Sequence, residues 1–121
     1  MTIGGIEAEN DKLVQMWAVR QRSYVSGKPA QCGHHFYSRS NRLLRWDLRN
    51  IIPVTLEEHN KIHDGNIVYK PNPCRQEYLE RMMNMSFKRY LIENQLTNEE
   101  FVKKCNKKLK EALSAEDTEN I

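Results

Sequence analysis

The chain has 121 residues, enough for one domain with a modest core. Charged residues are frequent at 29%, and no window approaches the roughly 18 consecutive apolar residues of a membrane span, so a helical membrane class is excluded. The net charge is only +3, so its distribution says more about partners than its size.

The first residues, MTIGGIEAENDK, lack a basic segment followed by an apolar one, so no secretory signal is read and a cytoplasmic protein is expected. Cys32, Cys74 and Cys105 are far apart and form no C-x-x-C pair, which gives no support to a disulfide framework or a zinc ribbon. They are expected as reduced, partly buried thiols; the alternative for Cys32, next to the histidines, is a spare ligand. Between residues 20 and 49 lie seven basic residues and one acid, Asp47, whereas residues from Glu111 onward carry acids only. Arginines dominate the basic stretch, and their planar forks suit phosphate oxygens.

In chain order, residues 7–24 read as a helix, with Leu13, Val14, Trp17 and Ala18 as its apolar stripe. Ser26-Gly27-Lys28-Pro29 ends it. Residues 31–37 read as a strand that turns Cys32, His34 and Phe36 to one face and Gly33, His35 and Tyr37 to the other. An arginine-rich connection follows. Residues 51–54 suit a second strand, with Pro53 tolerated only where its missing N–H faces an edge or bulge. Thr55-Leu56-Glu57-Glu58 is a capping box opening a helix that runs to about Asp64, with Gly65 as its stop. His59 and His63, four apart, share one face of that helix.

Residues 74–95 read as one helical region whose Met82, Met83 and Met85 are expected in the core. Thr97-Asn98-Glu99-Glu100 is a second capping box, opening a helix with Phe101, Cys105, Leu109 and Leu113 on one stripe. Residues 114–121 are expected to fray. The fold class expected is α+β, one domain over residues 1–121: two short antiparallel strands and a helix (residues 31–66) embedded in flanking helices (7–24 and 74–113).

All four histidines fall between Cys32 and Asn66. A pair at i and i+4 with a third from a neighbouring strand can hold one metal ion and leave a position open for water or substrate. Of His34 and His35, which face opposite ways, one can bind metal and the other can act as general base. A base histidine must be held in one orientation, and Asn50 is the natural candidate for that task.

These residues resemble the HNH, or ββα-metal (His-Me finger), endonucleases. His34-His35, the run Asn50-Ile51-Ile52-Pro53-Val54-Thr55, and His59 with His63 resemble the DNA-cleaving colicin domains, with separations that agree without insertion. Gln31-Cys32-Gly33-His34-His35, Ser38-Arg39 and Leu44-Arg45-Trp46 also look like phage recombination nucleases of the NinG/Rap type. The resemblance covers about a third of the chain, and the paired cysteines of many such proteins are missing. It implies a ββα-metal finger in which His34, His59 and His63 bind one divalent metal, His35 is the general base and Asn50 orients it.

It also implies hydrolysis of duplex or branched DNA to a 3′-hydroxyl and a 5′-phosphate, in a phage or bacterial host. Arg39, Arg42, Arg45 and Arg49 are the candidate DNA contacts, with Arg39 and Arg45 best placed to stabilise the transition state. Three imidazoles suit zinc in the isolated protein, with manganese, nickel, cobalt or magnesium supporting turnover. Two alternatives remain open: cleavage of RNA with the same site, or a non-catalytic nucleic-acid-binding module stabilised by its metal.

Overall fold

The computed structural model describes residues 2–119, with side chains through residue 115. Helix α1 (Ile3–Val19) starts on Thr2, whose hydroxyl accepts from the Gly5 N–H at 3.1 Å. This cap moves the start four residues ahead of the expected one. The end comes at Val19 rather than Tyr24, because residues 21–30 fold back on themselves. Ser23 N–H donates to Lys28 O at 2.7 Å and Ala30 N–H to Gln21 O at 3.1 Å. Gly27, at φ +76°, turns the loop.

Strand β1 (Cys32–His35) pairs antiparallel with β2 (Ile51–Val54), with Gly33 opposite Pro53 and His34 opposite Ile52. Both strands are edges, which is what admits Pro53. The missing N–H costs the ladder nothing, and the Pro53 carbonyl accepts from the Tyr24 N–H at 3.0 Å. At the same rung, the Gln15 side chain of α1 takes both backbone groups of Gly33. Its Oε1 accepts from Gly33 N–H at 2.8 Å and its Nε2 donates to Gly33 O at 3.1 Å.

Helix α2 (Leu56–His63) follows β2 directly. Both halves of its capping box form: Thr55 Oγ1 accepts from Glu58 N–H, and the Glu58 carboxylate accepts from Thr55 N–H. Gly65, at φ +78°, ends it as expected. The Glu58 carboxylate also accepts from the Ser23 hydroxyl, tying α2 to the loop after α1.

The expected single helix over residues 74–95 is two. Helix α3 (Pro73–Met83) closes at Asn84, and α4 (Phe87–Glu93) opens on Ser86, whose hydroxyl accepts from Arg89 N–H at 3.3 Å. Met82 and Met85 pack against the core, whereas Met83 is exposed. Helix α5 (Asn98–Glu119) begins at the expected Thr97 box. It does not fray at Ser114. No glycine or proline interrupts residues 98–119, Leu113 is buried, and its carbonyl accepts from Arg20 at 3.2 Å. Asn120 and Ile121, part of the tail expected to fray, lie outside the described residues.

The architecture of the described residues is α+β, five helices and a two-stranded antiparallel sheet. Leu13, Val14 and Ala18 of α1 meet Phe101, Val102, Leu109 and Leu113 of α5, with Leu43, Trp46 and Ile51 completing the core cluster. Asn10 is fully buried between the two helices and satisfied there, donating to Val102 O and accepting from Asn106. No described helix is long and apolar enough to cross a membrane.

Two predictions follow from the way α1, the sheet and α2 meet. A Cβ on Gly33 would stand 2.7 Å from Ile51 Cγ2 and 2.9 Å from Ala18 Cβ. Gly33→Ala should therefore cost about 1–3 kcal/mol in urea unfolding. Gly4→Ala, with nothing within 4 Å, should be neutral or stabilising in the same assay. Burial pushes the Glu58 carboxyl up, but hydrogen bonds from Ser23, Ser26 and Thr55 outweigh it and bring it down to about 2. The folded form thus binds the proton less readily than the unfolded chain. Its stabilisation is complete above the ordinary value of 4.5 and is lost as pH falls through about 2. Glu58→Gln should be less stable at neutral pH and should lose less stability than the parent between those limits, measured by denaturant unfolding at a series of pH values.

Candidate functional site

The period of a strand separates the neighbouring histidines. His34 turns toward α2, where its ring lies 5.1 Å from that of His59 and 5.4 Å from that of His63. The capping box sets the start of α2, and the four-residue spacing puts His59 and His63 one turn apart, ring centroids 4.6 Å from each other. One nitrogen from each of the three rings falls within 4.8 Å of the others, the only such ligand cluster among the described residues. His34 Nδ1 and His59 Nδ1 are 3.2 Å apart. Cys32 is not part of the cluster; its thiol points to Val54 O at 3.8 Å.

Burial, then the neighbouring imidazoles, brings His34 down to about 4. Burial also lowers His59. Both rings are therefore neutral near pH 7, with lone pairs available to a cation.

His35 faces a different neighbour. Its Nε2 lies 2.9 Å from the carbonyl of Arg45. A carbonyl can only accept, so Nε2 carries the hydrogen and Nδ1 is left as the basic nitrogen. Burial lowers the pKa of this ring and the bond to Arg45 O opposes that shift.

Asn50 does not touch His35 as expected. It is fully buried, so its amide must be satisfied by the backbone around it. Oδ1 accepts from Tyr37 N–H at 2.9 Å, and Nδ2 donates to Tyr37 O at 3.0 Å and Leu44 O at 3.1 Å. Asn50 thus pins both ends of the loop between the strands. Its hold on Leu44 sets the next residue, Arg45, whose carbonyl orients His35.

The four histidines border an open cleft of about 440 Å³. Gln15, Ser38 and Arg39 complete its wall. Of the four candidate arginines, only Arg39 lines it. Its guanidinium is exposed and 3.1 Å from Asp11. Arg45 contributes its carbonyl, while its guanidinium is clamped on the same Asp11 at 3.0 and 2.6 Å. Arg42 is turned to Glu7 and Asn98, with its guanidinium 4.9 Å from the Trp46 ring centroid. Arg49 packs 3.6 Å above the Tyr78 ring and pairs with Asp47.

Two contributors escaped the sequence reading: Asp11 and Gln15 of α1. Asp11 accepts from Arg39, Arg45 and the Trp46 indole. Hydrogen bonds from Arg45 and Trp46 override the upward push of burial and hold its carboxyl below the ordinary value. Glu7, Asp11 and Gln15 recur every four residues, a polar stripe on α1 that the sequence displays without naming its partners.

No protein-family model, curated protein or solved structure matches the chain.

Asn50→Asp keeps the acceptor for Tyr37 N–H but sets a carboxylate against two carbonyls. It should destabilise by about 1–3 kcal/mol or more and shift the His35 ring resonances in NMR spectra. Asn50→Ser should fall on the same side, since a hydroxyl cannot make all three bonds.

Proposed function

We propose that the chain is a metal-dependent DNA endonuclease built on a ββα-metal finger, cytoplasmic and of phage or bacterial origin. The observation that carries this reading is the division of labour between adjacent residues. His34 joins His59 and His63 in one cluster, while His35 stands beside it with Nε2 occupied and Nδ1 free. The His-His, Asn, His-x3-His pattern of the HNH endonucleases supports the same reading.

The donor set fits a transition-metal ion. Two nitrogens bound about 2.0–2.1 Å from a tetrahedral ion stand about 3.3–3.4 Å apart. His34 Nδ1 and His59 Nδ1 already lie 3.2 Å apart. His34, His59 and His63 would hold the ion, and three imidazoles favour zinc, nickel, cobalt or manganese over magnesium. When bound, it would supply Lewis-acid charge that stabilises the negative charge developing on the scissile phosphate.

The remaining steps belong to the side chains. His35 Nδ1 takes a proton from water, and the resulting hydroxide attacks phosphorus in line with the 3′ oxygen. The P–O3′ bond breaks, the departing oxygen takes a proton from solvent, and the products are a 3′-hydroxyl and a 5′-phosphate. Arg39, the arginine on the cleft wall, exchanges Asp11 for a phosphate oxygen and stabilises the added negative charge. The Arg45 carbonyl keeps His35 in the tautomer that this proton transfer needs.

Supercoiled plasmid, branched DNA and RNA, incubated with EDTA or with manganese, nickel, zinc or magnesium, test this reading. Cleavage of DNA that requires metal is expected. His35→Ala should lower it by about 10²–10⁴-fold while leaving the metal-induced rise in Tm intact. That rise corresponds to about 2.7 kcal/mol at metal 100-fold above Kd and should vanish in His59→Ala. Metal-independent cutting, or a His35→Ala variant as active as the parent, would sink the assignment, and cutting confined to RNA would move the substrate.

A further inference from the structure

A second cavity, of about 240 Å³, opens between α3, α4, α5 and the segment from Leu43 to Arg49. It shares no lining residue with the histidine cleft. Its walls are aromatic and apolar: Trp46, Tyr78, Tyr90 and Phe101, with Met82 and Leu109. The rings stand around Phe101, Trp46 at 6.3 Å and Tyr90 at 5.9 Å between centroids, tilted against it rather than stacked on it. The Tyr78 face is already covered by the Arg49 guanidinium, 3.6 Å from its centroid.

The cavity's charges are uneven. Arg49 and Lys108 stand among its lining residues against one acid, Asp47. Asp47 is already occupied, accepting from Arg49 and from the Tyr78 hydroxyl. Lys108 is exposed and has no carboxylate partner among the described residues. An occupant therefore meets aromatic side chains inside and the Lys108 ammonium among the polar groups.

Size narrows the ligand further. The volume is below the roughly 300–1,000 Å³ of clefts that hold drug-sized molecules, so one ring system fits and a larger ligand does not. We infer that this cavity binds a small aromatic anion, a single planar ring system seated beside Trp46, Tyr90 and Phe101 with its negative group at Lys108. Two sources offer that chemistry, a nucleotide (free or in a strand) and an aromatic carboxylate. The inference goes beyond the nuclease reading, because it uses none of the histidine cleft.

The test is a titration of the chain in EDTA, which keeps the histidine cleft out of the measurement. The probes are dAMP and indole-3-acetate, each beside its uncharged counterpart, deoxyadenosine and indole. Binding is read from tryptophan fluorescence and from backbone amide shifts. Both readouts should respond, with the amides of Asp47, Arg49, Tyr78 and Lys108 moving. At least one anion should bind several-fold more tightly than its neutral counterpart. Lys108→Ala should erase most of that difference, roughly twofold to fivefold for the loss of one exposed charge. Met82→Trp, which fills the cavity, should abolish binding. If that variant does not fold, Lys108→Ala at its exposed position decides the matter alone. Preference for dAMP assigns the nucleotide source, and preference for indole-3-acetate the carboxylate. If neither anion moves the cavity amides, or if charged and neutral rings bind equally, the inference is overturned.

Discussion

The placing of His34 and His35 depends on how closely β1 lies against α1. At Gly33 the backbone approaches to where a single added carbon would collide with Ile51 and Ala18. That closeness lets the Gln15 amide reach both polar groups of Gly33, so the strand is hydrogen-bonded on two sides although the sheet has only two strands. A four-residue strand paired with one other would be marginal by itself. Fastened to a helix that α5 covers on its apolar face, it becomes a rigid platform. The two histidines that follow Gly33 inherit that rigidity.

The same helix acts along its whole polar stripe. Gln15 holds the strand, Asp11 holds Arg39, Arg45 and Trp46, and Glu7 holds Arg42. Asn50 works from the other side of the same loop, through backbone groups alone. The segment between the strands is therefore clamped at its ends by an amide and along its length by carboxylates. A long irregular loop that presents a carbonyl to His35 needs such restraint, because regular hydrogen bonding supplies little of it.

What could be read from the chain beforehand followed how local the physics is. The capping boxes at Thr55 and Thr97 involve residues three apart, so they were visible, and the first fixed the face that His59 and His63 share. The alternation of a strand separated His34 from His35 for the same reason. The break between α3 and α4 was missed because it contains neither glycine nor proline and rests on a serine cap within a helix-forming stretch. The partners of the arginines were invisible. Asp11 lies 28 and 34 residues from Arg39 and Arg45, and only the packed fold joins them. Asn50 was expected to orient His35 and instead bonds to Tyr37 and Leu44, because its partners depend on a loop conformation that no periodicity encodes.

The outer edges of the small sheet have one more consequence. A two-stranded sheet normally offers two open templates for strands of other molecules. Here the central rung refuses both. Gly33 has its donor and acceptor taken by a side chain of the same molecule, and Pro53 opposite has no donor to give and lends its acceptor to Tyr24. A foreign strand arriving at either edge meets no vacant pair of groups at its midpoint. The chain can keep a short hairpin next to a solvent-open cleft without inviting its own copies to extend it.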